Sequence, residues 1–334
     1  MSQSTIAHHI DPHSLSFVAI PDGSATVTVK VLVNGRFSAD PRLFVLDSDP
    51  GEKRYPVLCF LVERGSGDGT EERLLFDLGI RKDHQKFSPI TRNTVLPFFP
   101  IHDAPDVAEN LATGGLAPAD VSNVILSHDH YDHIGDPLLF PLFTRFSVGD
   151  FGTDDEGLAR LHRRDGSIIP WRKLLQDPSL FWQPLGTFER AHDYFGDGSF
   201  WIIDAPGHCK GHIMAMARST ASPNPTYILF AGDAAHSKCL YSPCPEPHHP
   251  ESRSAIGLYT DGYKCGTGPR CDYSVHEDTY AAYKTIAALS RMDSLDNVLV
   301  IAAHETGVEG TVDLYPRSAN DWKRKGWKEA IKVH

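Results

Sequence analysis

The sequence has no run of about 18 apolar residues, so no transmembrane helix is expected. Met1 to His9 carry neither a basic nor an apolar segment, which argues against a secretory signal. Cysteine is scarce. The six residues (Cys59, Cys209, Cys239, Cys244, Cys265 and Cys271) are unevenly spaced and form no CxxC pair. That excludes a disulfide scaffold and predicts a reduced, cytoplasmic protein. Positive charge is also short: 32 Lys and Arg stand against 43 Asp and Glu, a formal charge of −11. Neither nucleic acid nor an anionic membrane is an expected partner, because phosphate binding needs clustered cations. No internal repeat, low-complexity stretch or linker is visible. Hydrophobic residues at 41% and charged residues at 22% allow a sizeable core and exclude a disordered or fibrous chain.

What the chain has in excess is histidine, 18 residues in 334. Their positions follow a pattern. Val124–Leu126 runs into Ser127-His-Asp-His-Tyr-Asp-His133, Trp201–Ile203 into Asp204-Ala-Pro-Gly-His208, Tyr227–Phe230 into Ala231-Gly-Asp233, and Val298–Ile301 into Ala302-Ala-His304. Each time an apolar strand ends in a ligand-type residue, the place where a rigid sheet presents chemistry. Other strands are expected at Thr26–Val33, closed by an Asn34-Gly35 turn, and at Val57–Val62 and Leu74–Leu78 as a hairpin. Helices are expected at Asp106–Thr113, ended by Gly114-Gly115, at Thr279–Ser290, and amphipathically at Asp321–His334 with a Trp face. The Pro- and aromatic-rich stretches 86–105 and 236–275 read as ordered loops walling an apolar pocket; 86–105 also suits a homodimer contact.

His128-Asp-His-Tyr-Asp-His133 places three imidazoles and two carboxylates within six residues. Nitrogen and oxygen donors without thiolates suit open divalent-metal sites rather than a closed structural zinc. This segment matches the HxHxDH signature of the metallo-β-lactamase superfamily. Pro206-Gly-His208-Cys-Lys-Gly-His212 resembles the family's PGHxxGH segment, Ala231-Gly-Asp233 its bridging carboxylate, His304 its last histidine, and Asp77 its early buried Asp. The resemblance spans roughly Val57 to Val308, in the expected order. It implies an α/β fold, the αββα four-layer sandwich, as a single domain with loop insertions. Residues 1–55 would form an N-terminal strand and extension packed on the core, 56–310 the catalytic domain, and 311–334 a helical tail.

The same resemblance implies two divalent ions, zinc by default with manganese, iron or cobalt also suited. His128, His130 and His208 would hold the first ion, Asp132, His133 and His304 the second, and Asp233 would bridge them. Asp77 would orient the His-rich loop and His212 support a ligand by a hydrogen bond, with Cys209 a packing residue. A bridging hydroxide would open an ester, lactone, thioester or amide, with Asp132 shuttling its proton. The layout is most similar to the acyl-homoserine lactonases, which implies a lactonase with a quorum-quenching or detoxifying role. Those enzymes have a Tyr three residues after the bridging Asp; here His236 stands there, read as an electrophile or general acid against a solvent-exposed loop histidine. The expected substrate is a small hydrophobic cyclic ester or amide. Alternatives are a lactamase acting on a small, even aromatic, lactam and a glyoxalase II-like thioesterase. Cys239, Cys244, Cys265 and Cys271 read as buried thiols rather than a zinc knuckle, since their spacing lacks paired ligands.

Overall fold

The computed structural model describes residues 10–45, 48–65, 71–242 and 274–331. The loop cysteines Cys244, Cys265 and Cys271 lie outside these residues. Among the described residues thirteen strands form two sheets. The first contains β1 (Thr28–Ala39), β2 (Lys53–Gly65), β3 (Glu71–Phe76), β4 (Ile101–Asp103), β5 (Asn123–Leu126), β6 (Arg145–Val148) and β7 (Trp171–Lys173), in the order β4-β1-β2-β3-β5-β6-β7. Helix α1 (Val107–Thr113) precedes β5. The second contains β8 (Gln183–Leu185), β9 (Phe188–Asp193), β10 (Phe200–Asp204), β11 (Ile213–Thr220), β12 (Thr226–Gly232) and β13 (Val298–Ala302), in reverse chain order from β13 to β8. Helix α2 (Thr279–Asp293) precedes β13, and α3 (Trp327–Ala330) lies near the C-terminus.

The layers follow from strand alternation. On β2, Leu58, Phe60 and Val62 face the second sheet, where they meet Ile202, Ala215 and Phe230. Phe60 and Phe230 stack with centroids 4.0 Å apart. Cys59 and Leu61 point the other way and pack with Val107 and Leu111 of α1. On the far side of the second sheet, Ile203, Met214 and Leu229 pack with Ile286, Leu289 and Met292 of α2. Two covered faces explain why Val57–Val62 reads as an unbroken apolar run. The result is helix, sheet, sheet, helix, the metallo-β-lactamase fold expected from the resemblance. No helix among the described residues is long and apolar enough to cross a membrane.

Three local expectations need correcting. Asn34-Gly35 is not a turn: β1 runs through it, with a register shift between Val33 and Arg36 and Gly35 at φ +125°. The pair is buried, and Asn34 donates Nδ2–H to the Leu78 carbonyl at 3.2 Å while its own carbonyl accepts from Ile80 N at 2.9 Å. A bulge here serves to dock the turn after β3. Stretch 86–105 contains β4 and one wide helical turn, Thr91–Val95, so it is partly built into a sheet edge. The helix expected over Asp321–His334 is confined, among the described residues, to α3. Gly326, at φ +66°, interrupts the turns before it. The apolar face is nevertheless as expected: Trp322, Trp327 and Ile331 are buried against the intersheet core.

Candidate functional site

Asp77 follows β3, Ser127–His133 follow β5, His208 lies after β10, Asp233 after β12 and His304 after β13. The sheets are stitched where these ends meet. Ile213 N donates to Ser127 O and Leu58 N to Ala303 O, both at 2.9 Å, while within the second sheet Ala303 N donates to Gly232 O at 3.0 Å. The His208 loop is held by the start of α2: Glu277 N and Asp278 N donate to the His208 and Gly207 carbonyls at 2.8 and 3.0 Å. Gly207, at φ +129°, lets that approach happen, since a Cβ there would lie 2.2 Å from Ala282 N.

All seven residues expected to hold ions converge. Asp132, His133, Asp233 and His304 form one group that can hold a cation; His128, His130 and His208 form another, with Cys209 beside them. Asp233 lies between the two. Its Oδ1 is 3.1 Å from His304 Nε2 and 3.3 Å from His133 Nε2, while its Oδ2 is 3.5 Å from His208 Nε2 and 3.8 Å from His128 Nε2. Asp132 Oδ2 lies 3.4 Å from His304 Nε2. Six of the seven are buried, and His130 is half-buried.

Hydrogen bonds on the far side of each ring decide which nitrogen faces the centre. His133 donates Nδ1–H to Asp77 Oδ2 at 2.9 Å, His304 to the Pro56 carbonyl at 2.9 Å, and His128 to Ser127 Oγ at 3.0 Å. Asp77 also accepts from Ser127 N at 2.6 Å and Ser127 Oγ at 2.8 Å. Asp77 thus ties the loop after β5 to the end of β3, from a left-handed backbone at φ +64°. His212 donates Nδ1–H to the Ala205 carbonyl and accepts the Asp233 N–H on Nε2, at 3.1 and 3.0 Å, fixing the backbone of the central carboxylate. Asp129 turns aside, accepting from Gly152 N and Asp154 N.

The electrostatics favour a cation. Burial pushes His128 and His208 well below the ordinary histidine range, and the neighbouring imidazoles push further; His212 is brought down to about 3, chiefly by burial. Burial also opposes charge on Asp233, but His304, His133 and His236 hold its carboxyl well below the usual range. His133 is raised despite burial, because Asp233, Asp77 and Asp132 surround it. His128 Nε2, His133 Nε2 and Asp233 Oδ1 are buried without a hydrogen-bond partner among the described residues. Unpaired lone pairs converging on one carboxylate are costly unless a cation satisfies them, so the residues fit divalent ions. Burial pushes the Cys209 thiol up, which suits a packing role.

His236 is not a solvent-exposed loop histidine. It is 3% exposed, its Nε2 lies 3.2 Å from Asp233 Oδ2, and its ring stacks on Phe44 at 4.7 Å. It borders a cavity of about 220 Å³ over the His/Asp cluster. Phe37, Phe44, Val95, Phe99 and Val275 give that cavity an apolar wall, while Thr153, Asp155 and Glu156 give an acidic rim. Of the two expected walls, 86–105 supplies Thr91, Val95 and Phe99; most of 236–275 lies outside the described residues. Sequence reasoning missed Phe37, Phe44 and the buried His276. His276 follows the assigned loop by one residue, and only the histidine excess pointed to it.

The family model described as the metallo-beta-lactamase superfamily matches residues 53–149. The chain is 33% identical over 346 residues to the gamma-lactamase FDB1 of Fusarium pseudograminearum, covering 93% of this chain and 82% of that protein. It is 32% identical over 339 residues to the cytochrome P450 monooxygenase mpaDE of Penicillium roqueforti, covering 94% of this chain but spanning only 37% of that relative's length. Among solved structures, an AiiA mutant of B. thuringiensis with N-decanoyl-L-homoserine bound at its active site shares the fold. Its TM-score is 0.58 at 16% identity, covering 88% of this chain and 99% of that one.

Proposed function

The chain belongs to the metallo-beta-lactamase superfamily, and from that premise we propose that it is a metal-dependent hydrolase that opens a small lactone ring. The observation that carries this is a pair of ligand-type groups, His128–His130–His208 and Asp132–His133–Asp233–His304, with Asp233 between them at the floor of an apolar-walled cavity. In this reading His128, His130 and His208 hold one divalent ion, Asp132, His133 and His304 a second, and Asp233 lies between them. When bound, the ions supply Lewis acidity and a water acidified toward neutral pH.

The chain's own residues do the rest. Asp132, beside His304 and facing the cavity, accepts and passes on the proton of the attacking water. His236, pushed down by burial, is neutral near pH 7 and serves as an N–H donor to the substrate oxygen or leaving group. Asp77 and His212 act through the groups they orient. Phe37, Phe44 and Phe99 exclude water and favour a hydrophobic ring. A γ-lactam is the second reading, favoured by the near full-length relative named a gamma-lactamase. Its opening differs only in the leaving group, an amine in place of an alkoxide.

The test is ring opening of acyl-homoserine lactones of several chain lengths and aromatic lactones, followed by proton release, and of small γ-lactams, followed by chromatography of the ring-opened amino acid, because that product forms without net proton release near pH 7. Zinc-reconstituted and chelated protein are compared. Metal-dependent turnover of a lactone supports the first reading, and turnover of lactams alone selects the second. No turnover of either class by protein with ions bound overturns both.

A further inference from the structure

His276 belongs to neither group assigned above, yet it is buried within the same cluster. Its ring centroid is 5.2 Å from that of His208 and 5.2 Å from that of His236, and His208 and His236 are 5.0 Å apart. The three rings therefore form a nearly equilateral triangle. One ring nitrogen from each lies within 4.8 Å of one from each of the others. Both nitrogens of His276, Nδ1 of His236 and Nδ1 of His208 are buried with no hydrogen-bond partner among the described residues.

The triangle has the dimensions of a metal site. A zinc–nitrogen bond of about 2.1 Å, plus about 1.1 Å from ring nitrogen to ring centre, puts an ion about 3.2 Å from each centroid. Ligands at the tetrahedral angle then have centroids about 5.2 Å apart, and ligands at right angles about 4.5 Å apart. The His208–His236–His276 separations of 5.0–5.2 Å fit the first value. The His128–His130–His208 separations of 4.4, 4.7 and 4.8 Å lie nearer the second. A surface cluster of histidines would satisfy its nitrogens with water. These three rings are all but sealed from solvent, and among the described residues four of their lone-pair or N–H positions have no partner.

We propose that His208, His236 and His276 form a further cation site, a neutral three-imidazole triad suited to a zinc-type ion in four-coordinate geometry. His208 is common to this triad and to the one with His128 and His130. Its Nε2 faces Asp233 and lies 3.0 Å from His130 Nδ1, while its Nδ1 has no partner among the described residues. In this proposal Nε2 serves the triad with His128 and His130, and the unpaired Nδ1 is the nitrogen left for the triad with His236 and His276. Filling both requires the ring to release its remaining proton to solvent. The inference rests on the triad's geometry and not on the substrate reading.

The test uses full-length protein, stripped with a chelator and titrated with cobalt(II) alone. Four-coordinate cobalt absorbs visible light far more strongly than five- or six-coordinate cobalt. The native protein should show an intense component that His276→Ala weakens at least fivefold while the weaker absorption stays. His133→Ala, which removes a ligand only from the Asp132–His133–Asp233–His304 group, should leave the intense component in place. His276→Cys keeps a donor and should bring a sulfur-to-cobalt charge-transfer band in the near ultraviolet. This variant decides the matter alone if His276→Ala does not fold. A native-like cobalt spectrum and affinity in His276→Ala, or no charge-transfer band in folded His276→Cys, overturns the proposal. Both readouts are independent of whether any lactone or lactam is turned over.

Discussion

Replacing Asp77 by Asn changes one atom in the buried support of the centre and should separate folding from metal binding. In the native protein Asp77 accepts three hydrogen bonds, from Ser127 N, Ser127 Oγ and His133 Nδ1. An Asn side chain keeps the volume and one accepting oxygen, which stays with the Ser127 amide. Its NH2 group then faces His133 Nδ1 and can only donate. Nδ1 must become the acceptor, so the ring proton moves to Nε2, the nitrogen 3.3 Å from Asp233 Oδ1. A protonated Nε2 cannot bind an ion. The bonds from Ser127 Oγ and His133 Nδ1 both lose their acceptor Oδ2, so the stability cost is at least one charge-assisted hydrogen bond, about 1.5–3 kcal/mol or more. The loss of ion affinity is that of a wrongly oriented ligand, about 10–100-fold. The assay is zinc titration against a chromophoric chelator, beside thermal melting with and without zinc. The variant should fold, melt lower, and show the weakened affinity in one of its sites. Native zinc affinity at every site in a folded Asp77→Asn protein would refute the argument that Asp77 sets the His133 tautomer.

Other expectations follow from the same geometry. His236→Gln should lower kcat at least tenfold while the group containing Asp132, His133, Asp233 and His304 keeps its ion; steady-state kinetics with metal analysis checks both halves. Lys328 donates to the Asp293, Leu295 and Val298 carbonyls, so Lys328→Met removes a donor from all three and leaves Leu295 O only its bond from Val298 N. That should cost about 2 kcal/mol or more and lower the melting temperature by about 3 °C or more. Burial pushes the Asp150 carboxyl up, but hydrogen bonds from Lys210 (2.8 Å) and Lys173 (3.0 Å) outweigh it and hold it at about 2. A depressed folded-state value means that this contribution is complete above about pH 4 and fades as pH falls toward 2. Lys210 is largely exposed and Lys173 about two-fifths so, and solvent screening should hold the cost of Asp150→Asn to about 1 kcal/mol at pH 7. Melting curves should show the gap from the native protein closing between about pH 4 and 2.

Much of this was legible in the sequence because strands covered on both faces announce themselves. Val124–Leu126, Tyr227–Phe230 and Val298–Ile301 are short apolar runs that stop where the polar residues begin, and the structure ends each strand there. Tertiary partners were harder to read. Asn34-Gly35 has the local chemistry of a turn, but the Leu78 carbonyl and Ile80 amide, more than 40 residues away, recruit it into a bulge. The tail has the periodicity of an amphipathic helix, yet burying Trp322 and Trp327 together places Gly326 between them in a left-handed turn. His276 carries no motif. Its position depends on the bonds that pin α2 to the His208 loop, which no spacing along the chain reveals.

The seam between the sheets has a mechanical consequence. His128, His130, Asp132 and His133 hang from the first sheet, while His208, Asp233 and His304 hang from the second. Any cation held by either group therefore grips both halves of the sandwich at one edge, like a rivet through two plates. Binding to the folded state alone adds RT ln(1 + [L]/Kd) of stability, about 4 kcal/mol at a thousandfold excess over Kd. Here that increment resists the parting of one sheet from the other rather than the fraying of either. In the loaded protein, amide hydrogens of β5 and β12 should exchange together, in a single slow opening. After chelation the two sheets should begin to exchange on separate clocks.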